Sequence, residues 1–351
     1  MLFNSFNFLC VFLPIVFIVY YLPIFRRFQI CVLIIAGFVF YSYIHMEYLV
    51  LLIASAFMNA VFSYGVLQSR SPLATKVYAL VGVLINLFLL SFFKYGALFY
   101  KTFFAANNLG EWLVSLPLPI GISFYTFQGI SLLVDAMKNE IPEKSKSFFT
   151  HVVHTVFFVS FFPHSIAGPI VKAHDFLPQI SPKRFTDIPF VEIFKTLILG
   201  FFFKTVVADN IQNHTFWITY PYFLTKGSCQ LLAMMIGYSA QIFADFAGYS
   251  LIAIGIAALF GYRLPQNFNF PYISQSFHEF WQRWHISLSS WLRDYLYIPL
   301  GGNRKGKLRT YVNLFLVMLL GGMWHGAAWN YLAWGAVHGV FLVTERVLTG
   351  G

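Results

Sequence analysis

The residues best suited to proton chemistry in this chain are two histidines set among tryptophan and glycine. His325 lies in Gly321-Gly322-Met323-Trp324-His325-Gly326-Ala327-Ala328-Trp329-Asn330, at the far end of an apolar stretch that follows the basic residues Arg304, Lys305, Lys307 and Arg309. An imidazole titrates near pH 6.5, so it can take a proton from a hydroxyl and return it later. Glycines on both sides leave space where a substrate or another backbone can approach. The plain alternative is a buried histidine bonded to a carbonyl. The choice between them turns on what surrounds the helix that carries it.

His285, in Trp281-Gln282-Arg283-Trp284-His285-Ile286-Ser287, is the second candidate. Taken alone it reads as an interfacial histidine in an aromatic belt. Read as one helix, residues Phe277 to Leu300 align Arg283, Ser287, Ser290 and Asp294 on one stripe. His278, Trp281, His285 and Leu288 align on the neighbouring stripe. Such a helix lies in an interface or lines a cavity. Arg283 and Arg293 suit phosphate contacts, but equally pairing with Glu279 and Asp294 or anchoring at lipid headgroups. His278, His164, His151, His154 and His338 read as structural or cavity-lining, and Asp135 and Asp245 as buried hydrogen-bond acceptors. A metal site is not expected. His278-Glu279 opens a zinc-protease pattern, but the position of the second ligand is Gln282. No nucleophile elbow and no phosphate-binding loop occurs.

The elements that must position these residues are membrane helices. Of 351 residues 58% are hydrophobic, 20% aromatic and only 10% charged, and the mean hydropathy is +0.69. Soluble domains carry roughly 25% charge and 45–50% apolar residues, so an ordinary soluble domain is excluded. Cys10, Cys31 and Cys229 sit in apolar runs and read as small core residues. A histidine buried in lipid is costly, which favours the functional reading of His325.

Lys and Arg number 23 against 13 Asp and Glu, a net charge of +10. The bases are dealt out between apolar runs rather than gathered on one face, which argues against nucleic acid. Arg26 and Arg27, then Arg70 and Lys76, then Lys138, Lys144 and Lys146, then Arg304 to Arg309 alternate with gaps poor in base at His45 to Glu47 and Asn107 to Glu111. The positive-inside rule then puts the N-terminus outside and these basic loops in the cytoplasm. The run from Leu9 to Tyr21 lacks the basic start and small-residue end of a cleavable signal peptide.

Apolar runs suggest spans at Phe6–Ile24, Phe28–Ile44, Tyr48–Leu67, Tyr78–Phe104, Ile120–Val134, His151–Phe162 and Phe190–Val207. Further ones fall at Cys229–Phe243, Gly248–Phe260, Tyr311–Trp324 and Trp329–Leu348. The expectation is an all-α polytopic membrane protein, one domain over 1–351, with about ten or eleven transmembrane helices plus re-entrant and interfacial helices. Several spans are too short for a core of about 30 Å. Short or broken helices survive there only inside protein or beside a watery cavity. Pro163-His164-Ser165-Ile166-Ala167-Gly168-Pro169 reads as a re-entrant or interfacial turn.

At Trp281–Gly302 and Gly322–Gly339 the sequence closely resembles the bacterial branch of the membrane-bound O-acyltransferase family, which acts on alginate, peptidoglycan and teichoic acid. Met1–Ser5, Leu118–Phe127, Ala167–Val171, Lys204–Asp209 and Phe243–Ser250 also resemble that branch, so the likeness runs from end to end. It implies a ring of helices around a thin central tunnel joining the two sides of the bacterial inner membrane. It implies that His325 is the catalytic histidine and His285 its companion, with Trp281, Arg283, Trp284, Arg293, Asp294, Trp324 and Asn330 lining the substrate path. It further implies a cytoplasmic acyl thioester such as acetyl-CoA as donor, no tightly bound cofactor, and a polysaccharide acceptor hydroxyl outside. A periplasmic acetyltransferase partner would complete the transfer. Relatives continue past the last block with further membrane helices, so 1–351 is expected to lack them. A flippase for a lipid-linked sugar and a non-catalytic membrane scaffold are the alternatives; the absence of two matching halves argues against the former.

Overall fold

The computed structural model describes residues 1–43, 46–104, 112–141, 147–166 and 168–349. His45, Asn107 to Glu111, Lys144, Lys146 and Ala167 lie outside the described residues. The described chain is helical, with no strand among the described residues, as expected where each segment must satisfy its own backbone in lipid. In chain order the main helices are α1 (Asn7–Tyr21), α2 (Gln29–Ser42), α3 (Met46–Gln68), α4 (Pro72–Phe104), α5 (Ile122–Met137) and α6 (Phe148–Ser160). Then follow α7 (190–215), α8 (Ser228–Leu259), α9 (Phe277–Arg283), α10 (Ile286–Leu292), α11 (Lys307–His325) and α12 (Trp329–Leu348).

Of the ten or eleven crossings expected, three described helices are long and apolar enough to cross alone: α3, α4 and α8, of 23, 33 and 32 residues. Helices α1, α2 and α6 are apolar but shorter. Helices α11 and α12 have 19 and 20 residues, long enough by length, but carry polar groups along them. The spans expected at Cys229–Phe243 and Gly248–Phe260 are one continuous helix, α8. Asp245 does not break it, because Lys204 of α7 meets its carboxylate at 2.7 Å and also reaches Asp209 at 2.7 Å. The three cysteines are exposed rather than in the core. In a membrane protein the outward surface is apolar too, so hydrophobic context does not separate core from lipid face.

Helix directions follow from contacts. Asn59 of α3, Asn86 of α4 and Gly129 of α5 meet at one level, and Phe62, Gly82 and Leu133 meet at the next. Helix α5 therefore runs parallel to α3 and antiparallel to α4, which brings Arg70 and Lys138 to the same end of the bundle. Lys138 lies over the Tyr295 ring at 5.5 Å, and Asn313 of α11 donates to the Gly302 carbonyl at 2.9 Å. The loop carrying Arg304 to Arg309 thus shares that end.

The proline-rich stretch breaks the helix and turns the chain back on itself. Helix α6 starts near the basic end, where His151 meets Ser63 Oγ at 2.7 Å, and breaks after Ser160. A single helical turn, Phe162–Ser165, follows, fully buried. The chain then returns alongside α5. Its freed amides find side-chain acceptors: Ile170 N–H on Ser287 Oγ at 2.9 Å, Ala173 N–H on Ser131 Oγ at 3.2 Å, and His174 N–H on Asp135 Oδ2 at 3.0 Å. Irregular backbone at this depth requires such partners.

Candidate active site

Helices α11 and α12 form a tight antiparallel hairpin, and a cavity of about 570 Å³ lies between it and the α9–α10 segment. His325, the last residue of α11, lines one part of it, beside Gly321 and Trp334. The lining continues down α11 to Leu314 and down α12 to Arg346 and Thr349. From Leu314 to His325 is about 16 Å at 1.5 Å per residue. The cavity is thus elongated, running from the imidazole toward the basic end of the bundle. The His325 ring stands 5.3 Å from the Trp334 ring, edge-on, and 5.1 Å from that of Trp324.

The flanking glycines divide between the two uses expected of them, space beside a cavity and the close approach of another backbone. Gly321 does face the cavity. A Cβ on Gly322, however, would lie 2.5 Å from the Tyr331 carbonyl oxygen and 2.7 Å from Gly335 Cα. One on Gly326 would lie 2.1 Å from the Tyr331 ring. These two glycines let α12 approach the end of α11 and seat His325 against it.

The single helix expected over Phe277 to Leu300 is instead broken. Helix α9 ends at Arg283, His285 adopts a left-handed conformation with φ 45°, and α10 begins at Ile286. The two stripes therefore do not form. A left-handed histidine is strained by roughly 1–3 kcal/mol and must be held by its surroundings. Asn267 does this from the loop after α8. Its carbonyl accepts from Ile286 N–H at 2.9 Å, its side-chain oxygen accepts from Ser287 Oγ at 2.6 Å and from Ser287 N–H at 3.3 Å, and its amide donates to Ser250 Oγ at 2.9 Å. The break turns His285 inward. Its ring is 1% exposed, 6.1 Å from the His325 ring and 4.6 Å from Phe246. Among the described residues neither of its ring nitrogens has a protein partner, and the same holds for the buried indole nitrogens of Trp324 and Trp281.

The other expected site residues separate into two groups. Trp281 and Arg293 line the cavity, and Trp324 stacks on Phe127 at 5.3 Å next to both histidines. Arg283, Trp284, Asp294 and Asn330 do not line it. Arg283 is engaged by Glu279 at 2.8 Å and by the Asn269 carbonyl at 3.1 Å. Trp284 stacks on Phe280 at 5.6 Å and meets Phe268 edge-on at 5.1 Å, in the wall behind. Asp294 receives Lys172 at 2.6 Å and Arg293 at 2.7 Å. Burial raises its carboxyl, but these hydrogen bonds and charges more than offset that and hold it below the ordinary carboxylate range. Asn330 is exposed at the start of α12, accepting from Tyr331 N–H at 3.0 Å.

Sequence reasoning missed Asn267, and it missed Lys94. The latter is a cation in the middle of the apolar run Tyr78–Phe104, whose other cation, Lys101, lies near its end, and such a position marks a membrane residue for attention. One group with metal-ligand chemistry, Asp135, Glu140 and His174, has donor atoms within 4.8 Å of one another. Asp135 is already engaged, by Tyr295 Oη at 2.7 Å, His174 Nδ1 at 2.9 Å and His174 N–H at 3.0 Å. It is the buried acceptor expected, and it ties α5 to the returning segment and to the turn after α10.

Folded this way, the chain is a helical membrane protein with an internal, histidine-lined cavity. It belongs to the membrane-bound O-acyltransferase family (MBOAT), whose profile matches residues 38–350. It is 40% identical over 365 residues to the "Probable alginate O-acetylase AlgI" of Pseudomonas aeruginosa, covering 99% of this chain and 66% of that protein. To the "Peptidoglycan O-acetyltransferase" of Helicobacter pylori it is 36% identical over 375 residues, covering 99% and 70%. To the "Teichoic acid D-alanyltransferase" of Bacillus subtilis it is 31% identical over 234 residues, covering 64% and 58%. The chain thus spans about two thirds of the length of the first two of these relatives.

Proposed function

We propose that this chain is the catalytic body of a membrane O-acyltransferase that passes acetyl groups from a cytoplasmic thioester, acetyl-CoA, to a cell-envelope polysaccharide of the alginate or peptidoglycan type. On this reading it sits in the bacterial inner membrane with its N-terminus outside. Its short helices join α3, α4 and α8 in a ring of ten or eleven around a thin tunnel, and a periplasmic acetyltransferase completes the transfer to sugar. The names of the relatives support the acetyl group and the polymer class. The gathering of basic loops at one end supports the orientation.

One observation carries the mechanism: the His325 ring lines the same elongated cavity that Arg346 and Arg293 border toward the basic end. A thioester entering between those arginines would bring its carbonyl to the imidazole. His325 then takes the proton of an acceptor hydroxyl as its oxygen attacks the carbonyl carbon. The C–S bond breaks, the departing thiolate receives the proton from His325, and an O-acetyl ester and free CoA result. General-base assistance of this kind is worth about 10²–10⁴-fold, or roughly 3–5.5 kcal/mol of barrier. His285 is buried 6.1 Å away beside the cavity, and among the described residues its nitrogens have no protein partner; it would hold the acceptor or donate to the developing oxyanion.

The test is purified protein supplied with radiolabelled acetyl-CoA, alongside envelope acetylation in cells. His325→Ala is expected to abolish CoA release and envelope acetylation while reaching the membrane at normal levels. Binding without turnover in the wild type would make the chain a scaffold. Near-normal acetylation in the variant would remove the mechanism.

A further inference from the structure

Helix α11 ends at His325 without a cap of its own. Gly326 leaves in an extended conformation, φ −166°, so no left-handed turn folds back onto the last carbonyls. Those carbonyls have no donor within the helix. Two of them are met from another helix. In α4 the hydrogen-bond ladder widens to a π turn over Ser91–Tyr95, which re-aims the residues that follow it. From that turn Lys94 Nζ donates to the Trp324 carbonyl and, at 3.0 Å, to Ser123 Oγ at the start of α5. The neighbouring Tyr95 hydroxyl donates to the Met323 carbonyl at 2.7 Å. The Lys94 ammonium also lies 5.3 Å from the centre of the Trp324 ring.

A half-buried ammonium in a membrane needs compensation, and neither oxygen it binds here is ionised. What compensates it is the end of α11, where aligned peptide dipoles leave about half a negative charge, together with the face of Trp324. Lys94 thereby neutralises the helix end that carries His325, and Tyr95 fixes the same turn without charge. Neither residue lines the cavity.

We propose that Lys94 and Tyr95 are positioning residues for His325, acting from α4 as a cap on the last turn of α11 that fixes the peptide bearing the imidazole. The inference rests on His325 being the catalytic base. Its distinguishing mark is a loss confined to the chemical step. A displacement of about 1 Å at a reacting group costs on the order of 10²-fold in rate, whereas the donor, held elsewhere along the cavity, binds as before.

Membrane-purified protein would be assayed for turnover of radiolabelled acetyl-CoA, giving kcat and KM, with thermal melting in detergent alongside. Lys94→Met, of similar length and uncharged, is expected to lower kcat at least roughly 30-fold with KM for the donor within about twofold. Lys94→Arg, which keeps charge and donors, is expected to recover most of that loss. Tyr95→Phe, which deletes one hydroxyl, is expected to lower kcat by roughly 3- to 10-fold with melting little changed. Should Lys94→Met fail to accumulate, Tyr95→Phe decides alone. Wild-type kcat in both, or losses that fall on KM, overturns the inference while a dead His325→Ala variant leaves the catalytic reading intact. A fully active His325→Ala variant, or a wild type that turns over nothing, refutes the catalytic reading and this inference with it.

Discussion

Replacing Gly322 with alanine tests whether the close approach of α12 is what seats His325. The added Cβ would fall 2.5 Å from the Tyr331 carbonyl oxygen, 2.7 Å from Gly335 Cα and 2.8 Å from Gly335 N, where ordinary contact begins at 3.4 Å. All three neighbours are backbone, so no side chain can swing aside. The two helices must separate by about 0.9 Å at this level, one turn below His325. Forcing a methyl into a filled contact costs roughly 1–3 kcal/mol. The same shift moves the imidazole away from Trp334, its neighbour across the hairpin at 5.3 Å. A displacement near 1 Å costs on the order of 10²-fold when it lies between reacting groups. The expected result is a lower melting temperature in detergent and a loss of acetyl turnover of at least tenfold. Gly335→Ala, whose Cβ would meet the Met318 carbonyl oxygen at 2.5 Å, should behave alike from the opposite helix. Wild-type melting and turnover in both variants would refute the account of the hairpin and of how it seats the histidine.

Two other predictions follow from the scaffold. Asn267→Ala removes the acceptor of Ser287 N–H and Oγ and the donor to Ser250 at a site that is 1% exposed. It should destabilise the protein by roughly 1–3 kcal/mol and, by letting His285 leave its left-handed conformation, cut turnover further than that stability loss explains. Paired measurements of melting and kcat read this directly. Asp294 has a carboxyl held below its ordinary range, so its contribution to stability is complete above the unfolded value near pH 4 and is lost as pH falls through the folded value. Melting followed from pH 7 to pH 3 should therefore fall more steeply in the wild type than in Asp294→Asn, and parallel curves would discount the Lys172–Asp294–Arg293 network.

How much of this was legible in the sequence depended on the range of the signal. Helical class and membrane setting follow from composition, because lipid leaves the backbone few alternatives. The ends of the helix at Trp329 and Leu348 match the apolar run to the residue, since the small residues Gly326 to Ala328 and Thr349 to Gly351 punctuate it in the sequence. The false break within α8 arose because Asp245 looks like an interruption until its partner Lys204, from α7, is brought beside it. Pairing across helices is invisible to a hydropathy window. His325 was legible for the same reason that Lys94 should have been: each is an ionisable group in an apolar run.

The failure at His285 is the more instructive one. Helical spacing put His285 on a stripe with Trp281, and only a left-handed residue, φ 45°, removes it from that stripe and turns it inward. The residue type announces it only faintly, since histidine is enriched among the non-glycine residues that adopt positive φ but still does so rarely. The conformation is imposed by Asn267, some twenty residues earlier in a loop without periodicity, through its hydrogen bonds to Ile286 and Ser287. Strain at one residue held by a buried polar scaffold is costly, and chains retain it where the resulting geometry is used. That geometry is the 6.1 Å approach of two imidazoles, which an unbroken helix from Phe277 to Leu300 would not deliver. On that argument the kink, and not the Trp-His-Gly block alone, is what assembles the site.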